Sequence, residues 1–368
     1  MGVADESTES LKRRAAELKN QIATADLKQY TAKIWLNSLY GALGCEYFRY
    51  YDTRQAEAVT LTGQVVIRWL EAGVNTMLNK TLETTDRKYV VYVDTDSLYI
   101  KLDLLVKKAL PEADAQKVTN FVDKVATKVI SPEITRKCAE LAKYFNCPNP
   151  VMEMKREAIC DKAIWLGKKH YVLNIWDLEG LRFQTPKVKI IGLAAIQSST
   201  PKMSRDMQKK AIQCILSGTQ DELRAFVLEY RAKFMAMTPK DVAFPRGVNG
   251  IGDYVVKGHS GDTYRKGTPI HVKGSIIYNS RVKELKLTKK YELIQSGDKI
   301  RFLYLKLPNK LGSPVVAFKG GLPPEFELEG RIDYETQFEK TFLAPVTELL
   351  DVVGWSMEDK PSLDSLFC

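Results

Sequence analysis

Residues 89–101, reading Tyr-Val-Val-Tyr-Val-Asp-Thr-Asp-Ser-Leu-Tyr-Ile-Lys, constrain this chain more than any other stretch. Two short β-branched and aromatic runs flank an acidic turn, which is the pattern of an antiparallel hairpin with buried strands and a charged tip. Asp94 and Asp96 stand two positions apart, so on extended backbone their carboxylates share a face, and a tight turn gathers them at one locus. A hard divalent cation suits such a locus, because Mg²⁺ takes oxygen ligands and is held by one or two carboxylates plus substrate phosphates. Taken alone, the tripeptide favours ordinary turn chemistry, since Asp and Thr side chains bond nearby backbone N–H groups. Support for the metal has to come from elsewhere in the chain.

At 368 residues the chain has room for two or three domains and a sizeable core without staples. A net charge of +10 favours a polyanionic partner, with nucleic acid ahead of membrane. The six cysteines (45, 138, 147, 160, 214 and 368) form no C-x-x-C pair, and three histidines complete no zinc spacing, so a reduced cytosolic setting is expected. No apolar run reaches membrane-spanning length and the first twenty residues are charged rather than signal-like, so neither a membrane nor export is expected.

Leu11, Ala15, Leu18 and Ile22 recur at four and three, one stripe of a helix capped by Thr8 or Ser10. The helix either lies on its own domain or forms half of a pair whose other half is elsewhere. Asp26 is expected to restart a helix that runs through Tyr40 and stops at Gly41 and Gly44. On it Lys33, Asn37 and Tyr40 fall at i, i+4 and i+7, lining one face with an ammonium, an amide and a phenol. Such groups suit a phosphate, a sugar or base edge, and a stacked base; a mixed polar face with a core tyrosine is the alternative. Residues 112–144 read as a helix pair broken at Ser131-Pro132, and 151–178 as strands with Gly167 in a turn. Helices are expected over 204–217 and 220–235, their cations (Lys202, Arg205, Lys209, Lys210, Arg224, Arg231, Lys233) serving phosphates or forming a solvated face. From 241 to 281 no long period survives, and Lys257, His259, Arg265, Lys266, His271 and Lys273 cluster there.

Lys33-x-x-x-Asn37-Ser38-x-Tyr40-Gly41, followed by the hydrophobic strand into Asp94-Thr95-Asp96-Ser97, is similar in order and spacing to the fingers and palm motifs of family B replicative DNA polymerases. Lys168-Lys169-His170-Tyr171 resembles the Lys-Lys-Arg-Tyr motif with which these enzymes grip primer–template DNA. Residues 40–66, Gln197-Ser-Ser-Thr-Pro-Lys202 and the tail Pro361–Cys368 resemble the polymerases of T-even-like tailed phages. The resemblance runs from about residue 10 onward. It implies an α+β right-hand architecture with an antiparallel palm sheet and flanking helices: partial fingers over 1–45, palm over 46–192, a mixed helical thumb over 193–360, and a clamp-binding tail over 361–368.

Residue by residue, the resemblance assigns Lys33 to the triphosphate of the incoming nucleotide, with Asn37 and Tyr40 near the nascent base pair. Asp96 matches the aspartate that binds two Mg²⁺ ions, with Asp94 supporting it. Lys168, Lys169 and Tyr171 match primer–template contacts, as does His170, although its imidazole cannot form the bidentate fork of the family's arginine. Lys202 joins this DNA-binding set. Glu157 resembles a palm carboxylate, with an ion pair to Lys155 or Arg156 as the competing explanation. Leu363, Leu366 and Phe367 form the apolar peg that meets a sliding clamp in the phage family. The family's other acidic palm strand, of the Ser-Leu-Tyr-Pro type, does not occur here; neither do proofreading exonuclease motifs. The expectation is therefore the C-terminal subunit of a split DNA polymerase in a phage-infected bacterial cytoplasm, inactive without a partner chain that supplies the second aspartate and the exonuclease. Met1 suits a natural split gene or an expressed fragment. The alternative is a non-catalytic module that binds DNA and tethers the clamp.

Overall fold

A computed structural model describes residues 8–148, 152–258 and 261–357. The chain divides into two compact units, one of Met1–Pro111 with Lys124–Lys155 and one of Glu112–Asp123 with Arg156–Cys368. All strand pairs are antiparallel, and helices flank the sheets, so the fold class is α+β as expected.

The first unit begins with α1 (Thr8–Leu43), one uninterrupted helix of 36 residues. The restart expected at Asp26 does not occur. Thr24 and Thr31 return their hydroxyls to the carbonyls of Asn20 and Leu27, at 2.8 and 2.7 Å, which lets threonines stay inside the helix. No residue of α1 is buried; Leu11, Leu18 and Ile22 are exposed, and Trp35 and Leu36 are 76% and 70% exposed. The apolar stripe is therefore not laid on its own domain.

Helix α2 (Thr53–Leu82) is capped by Asp52, whose carboxylate accepts the Arg54 N–H at 3.0 Å. The Arg54 guanidinium bonds the same carboxylate and holds it below the usual carboxylate range. Val66, Leu70, Val74, Leu78 and Leu82 repeat at four and bury one face of α2. They share a core with Ile134, Cys138 and Leu141 and with Tyr89 and Val90 of the hairpin β1 (Val90–Asp94) and β2 (Ser97–Ile100). The short α3 (Asp103–Ala109) follows.

The break expected at Ser131-Pro132 is absent. Helix α4 (Ala115–Val125) passes through a π-helical turn, Ala126–Ile130, directly into α5 (Ser131–Tyr144). Proline lacks an N–H and its ring collides with the carbonyl four residues back. The wider turn accommodates it: the Ser131 N–H reaches Ala126 instead, five residues back. The same arrangement recurs where the π-helical turn Glu339–Leu343 leads into Ala344-Pro345.

The second unit contains the sheet β3 (Ala158–Gly167), β4 (His170–Leu178) and β5 (Leu181–Ile191), in chain order. Gly167 closes β3 and the turn itself is Lys168-Lys169; residues 152–157 are irregular rather than strand. Helices α6 (Lys202–Ser217) and α7 (Gln220–Met235) match expectation, and a reciprocal capping box of Thr219 and Glu222 starts α7. After α8 (Pro239–Val242) come β6 (Phe244–Gly247), α9 (Ile251–Tyr254), the hairpin β7 (Val255–Gly258) and β8 (Gly261–Tyr264), and α10 (Ile270–Glu284). This 15-residue α10 replaces the irregular stretch expected there. It packs on β10 (Val315–Phe318), the edge of a β10–β9–β6 sheet with β9 (Lys299–Tyr304). A Cβ on Gly274 would come within 2.9 Å of the Ala317 nitrogen, so close helix–strand contact needs glycine there. Helices α11 (Tyr334–Phe338) and α12 (Ala344–Val353) complete the unit around Tyr230, Phe234, Phe338 and Phe342.

Candidate active site

The hairpin pairs Tyr92 with Tyr99, Val93 with Leu98, and Asp94 with Ser97. The Asp96 N–H donates to the Asp94 carbonyl at 2.6 Å and Thr95 takes φ 55°, a tight three-residue turn of the γ type. A β-branched residue at positive φ is strained and persists where its surroundings hold it. Here the Thr95 hydroxyl donates to Asp94 Oδ1 at 3.1 Å and the Ser97 hydroxyl to the Asp94 carbonyl at 3.0 Å. Asp94 is half-buried and Asp96 exposed. The charged tip is as expected, but the strands are only partly covered: Val90 alone is buried and Val91 is exposed.

The hairpin is held from α2 by two residues that sequence reasoning missed. Asn75 Oδ1 accepts the N–H groups of Tyr89 and Val90, at 2.8 and 3.0 Å. Asn79 accepts the Arg87 N–H at 3.0 Å and donates to its carbonyl at 2.8 Å. Asparagine disfavours helix interiors because it bonds backbone, so an i, i+4 pair of asparagines inside a helix was the available signal.

Two hard oxygen donors at an exposed turn fit a divalent cation that keeps waters and takes phosphate oxygens. Among the described residues no group of three or more His, Cys, Asp or Glu side chains could hold a metal ion by itself. The donor set thus fits part of a site. On the same unit, Lys33, Asn37 and Tyr40 are exposed on α1.

The remaining predicted residues belong to the second unit. Lys168, Lys169 and His170 are exposed at the β3–β4 turn, and His170 Nδ1 is 2.9 Å from the Lys168 carbonyl. That carbonyl only accepts, so the hydrogen sits on Nδ1. Tyr171, expected to contact DNA, is instead 5% exposed, because it lies in the central strand β4, where residues 171–175 are buried on both faces. Lys202 is exposed at the start of α6. Several other cations of that set are engaged within the protein: Arg231 with Glu335 at 2.8 Å, Lys233 with Glu229, and Arg224 with the Ser356 carbonyl at 3.1 Å. Glu157 pairs with Lys189 at 2.9 Å rather than with Lys155 or Arg156; Lys155 faces Glu153 at 3.4 Å. Leu363, Leu366, Phe367 and His259 lie outside the described residues.

A sequence model described as DNA polymerase family B matches residues 7–352. The chain belongs to DNA polymerase family B. Its relatives include the DNA-directed DNA polymerase of Enterobacteria phage T4, 33% identical over 98% of this chain and 41% of the relative. That of Escherichia phage RB69 is 32% identical over 99% and 42%, and the DNA polymerase of Pyrococcus glycovorans 28% identical over 61% and 24%. This family B chain therefore spans about two fifths of the length of the phage relatives it matches. Every predicted site residue except those of the tail lies within the family match. Among the described residues no helix is long and apolar enough to cross a membrane.

Proposed function

We propose that this family B chain is the C-terminal subunit of a DNA-directed DNA polymerase and performs templated nucleotidyl transfer with a partner chain. The observation that carries this is the pair Asp94 and Asp96 at the strained tip of a hairpin whose base is held by Asn75 and Asn79, in the unit that also displays Lys33, Asn37 and Tyr40. Its parts correspond to fingers over 1–45, palm over 46–192, thumb over 193–360 and a clamp-binding tail over 361–368, in a right-hand architecture.

In the reaction the primer 3′-oxygen forms a bond to the α-phosphorus of a nucleoside triphosphate, the bond to pyrophosphate breaks, and the hydroxyl proton passes to solvent. Asp96 and Asp94 would hold divalent cations, which would supply Lewis-acid stabilisation of the charge developing on the 3′-oxygen and on the leaving pyrophosphate. Lys33 neutralises triphosphate charge, and Asn37 and Tyr40 orient the nucleotide against the template base. Lys168, Lys169, His170 and Lys202 bind the phosphates of primer–template DNA.

One more palm aspartate is required, and polypeptide outside this sequence supplies it together with the exonuclease. The exposed apolar positions of α1 support a helical partner there: Leu11, Leu18 and Ile22 repeat on one face that no described residue of the same unit buries. Leu363, Leu366 and Phe367 dock on a sliding clamp, and the setting is the cytoplasm of an infected bacterium. A non-catalytic tether is the weaker reading, since a tether needs neither paired carboxylates nor a triphosphate lysine.

Primer extension tests the proposal. The isolated chain is expected to extend nothing, and mixing it with polypeptide carrying the Ser-Leu-Tyr-Pro strand restores synthesis. In that complex Asp96→Ala loses more than the about 10–100-fold that outer-shell changes cost at metal sites. Robust extension by the isolated chain refutes the shared site, and a polymerising Asp96→Ala complex refutes the metal assignment.

A further inference from the structure

The two phage-like motifs of the second unit, Lys168-Lys169-His170-Tyr171 and Gln197-Ser-Ser-Thr-Pro-Lys202, are joined through one glycine. Gly192 follows the last residue of β5, opposite His170 in the register that pairs Tyr171 with Ile191. It takes φ +72°, and a Cβ there would lie 2.0 Å from the Lys169 carbonyl oxygen and 3.1 Å from His170 Cδ2. Gln197 fixes Gly192 from the other side, its Nε2 donating to the Gly192 carbonyl at 2.8 Å. Lys169 itself takes φ 59°, a conformation that a lysine keeps only where neighbouring structure holds it.

We propose that Gly192 is a positioning residue for DNA binding. By seating the Lys169 carbonyl directly on its backbone, it fixes how Lys168, Lys169 and His170 are presented to phosphates, without touching DNA. This rests on the assignment of the β3–β4 turn as a primer–template contact. The physical advantage is pre-organisation: a turn already held in its binding geometry loses less freedom on association than one that must be ordered. Any side chain at 192 removes that seat. Contacts between a Cβ and such an atom stay beyond 3.0 Å, so the carbonyl has to retreat by about 1 Å and the turn tilts with it.

Asparagine separates the two properties of the glycine. It tolerates positive φ, yet its Cβ meets the Lys169 carbonyl as alanine's does. The full chain and its Gly192→Asn, Gly192→Ala, Gln197→Ala and Lys168→Ala/Lys169→Ala variants are titrated with a primer–template duplex over roughly 50–200 mM salt, because the slope of log K against log salt counts phosphate contacts at about 0.9 each. Thermal unfolding is followed in parallel. The double-lysine variant is expected to flatten the slope by about 2, and both Gly192 variants by about 1 or more. Gln197→Ala flattens it in the same direction by less. A global loss of structure lowers the unfolding midpoint and does not substitute for this change in slope. Gly192→Asn binding with the original slope overturns the proposal. If that variant fails to fold, an unchanged slope in Gln197→Ala overturns it. A double-lysine variant that binds like the original chain, or an original chain that binds no DNA, refutes the DNA assignment of the turn and the role of Gly192 with it; a flattened double-lysine slope beside an unchanged Gly192→Asn slope refutes only the latter.

Discussion

Asp177→Asn removes the one wholly enclosed charge among the described residues of the second unit. Asp177 has no solvent exposure; its Oδ1 accepts the Gly180 N–H at 3.0 Å and an Arg156 Nη1–H, and Arg182 Nε stands 2.5 Å from Oδ2. Asp123, on α4, engages the same two arginines at 3.0 and 2.8 Å, so two carboxylates and two guanidiniums close a ring that staples α4 to the sheet. Burial by itself raises the Asp177 pKa, but the Gly180 N–H and the two arginines outweigh it and hold the group below its usual range. Asparagine keeps the shape and deletes the charge. Breaking a buried pair costs about 3–5 kcal/mol. Both arginines retain Asp123 and are partly exposed, at 19% and 28%, which places the cost near the lower end, about 3 kcal/mol. For a unit of about 200 residues that is a fall of about 6–12 °C in the unfolding midpoint. Urea titration at pH 7 measures it directly, with an unchanged m-value marking a loss of stability rather than of compactness. The sign of the pH dependence follows from the depressed pKa. The stabilisation is fully present above the unfolded value of about 3.9 and is lost as pH falls through the lower folded value. The two proteins therefore converge in stability on acidification. A difference below about 1 kcal/mol at pH 7, or one that persists unchanged in acid, refutes the reasoning.

Two further outcomes follow from the packing and from the tail. Phe342 is fully buried against Tyr230 and Phe338, with ring centroids at 4.7 and 5.3 Å, so Phe342→Ala is expected to cost about 3–5 kcal/mol in chemical denaturation while leaving the first unit's hairpin intact to amide exchange. Removal of residues 361–368 is expected to spare distributive primer extension by the reconstituted enzyme and to abolish stimulation by the sliding clamp; stimulation that survives the truncation removes the peg.

The features legible in the letters were local. The acidic hairpin at 89–101, the helices α6 and α7, and the common face of Lys33, Asn37 and Tyr40 were all legible, because strand alternation, turn chemistry and helical period act over a few residues. The motif pairs also placed the chain in its family, which the match over residues 7–352 shows. Two expected helix boundaries are absent: Asp26 lies inside the continuous α1, and Pro132 follows a π-helical turn in which the Ser131 N–H bonds the Ala126 carbonyl. Helix α10 was not legible because its buried side includes Gly274, whose smallness matters only once β10 lies against it.

The long-range packing of the chain supplied the remainder. It turned Tyr171 inward, engaged Glu157 with Lys189, bound Asp177 between Arg156 and Arg182, and set Asn75 and Asn79 behind the acidic hairpin. Each of these joins residues that the chain separates, so its free energy depends on a geometry that neither partner encodes alone. The acidic turn could be found by its letters; what holds it, and what seats the lysine turn on Gly192, is a matter of which distant backbone comes within hydrogen-bonding or van der Waals reach.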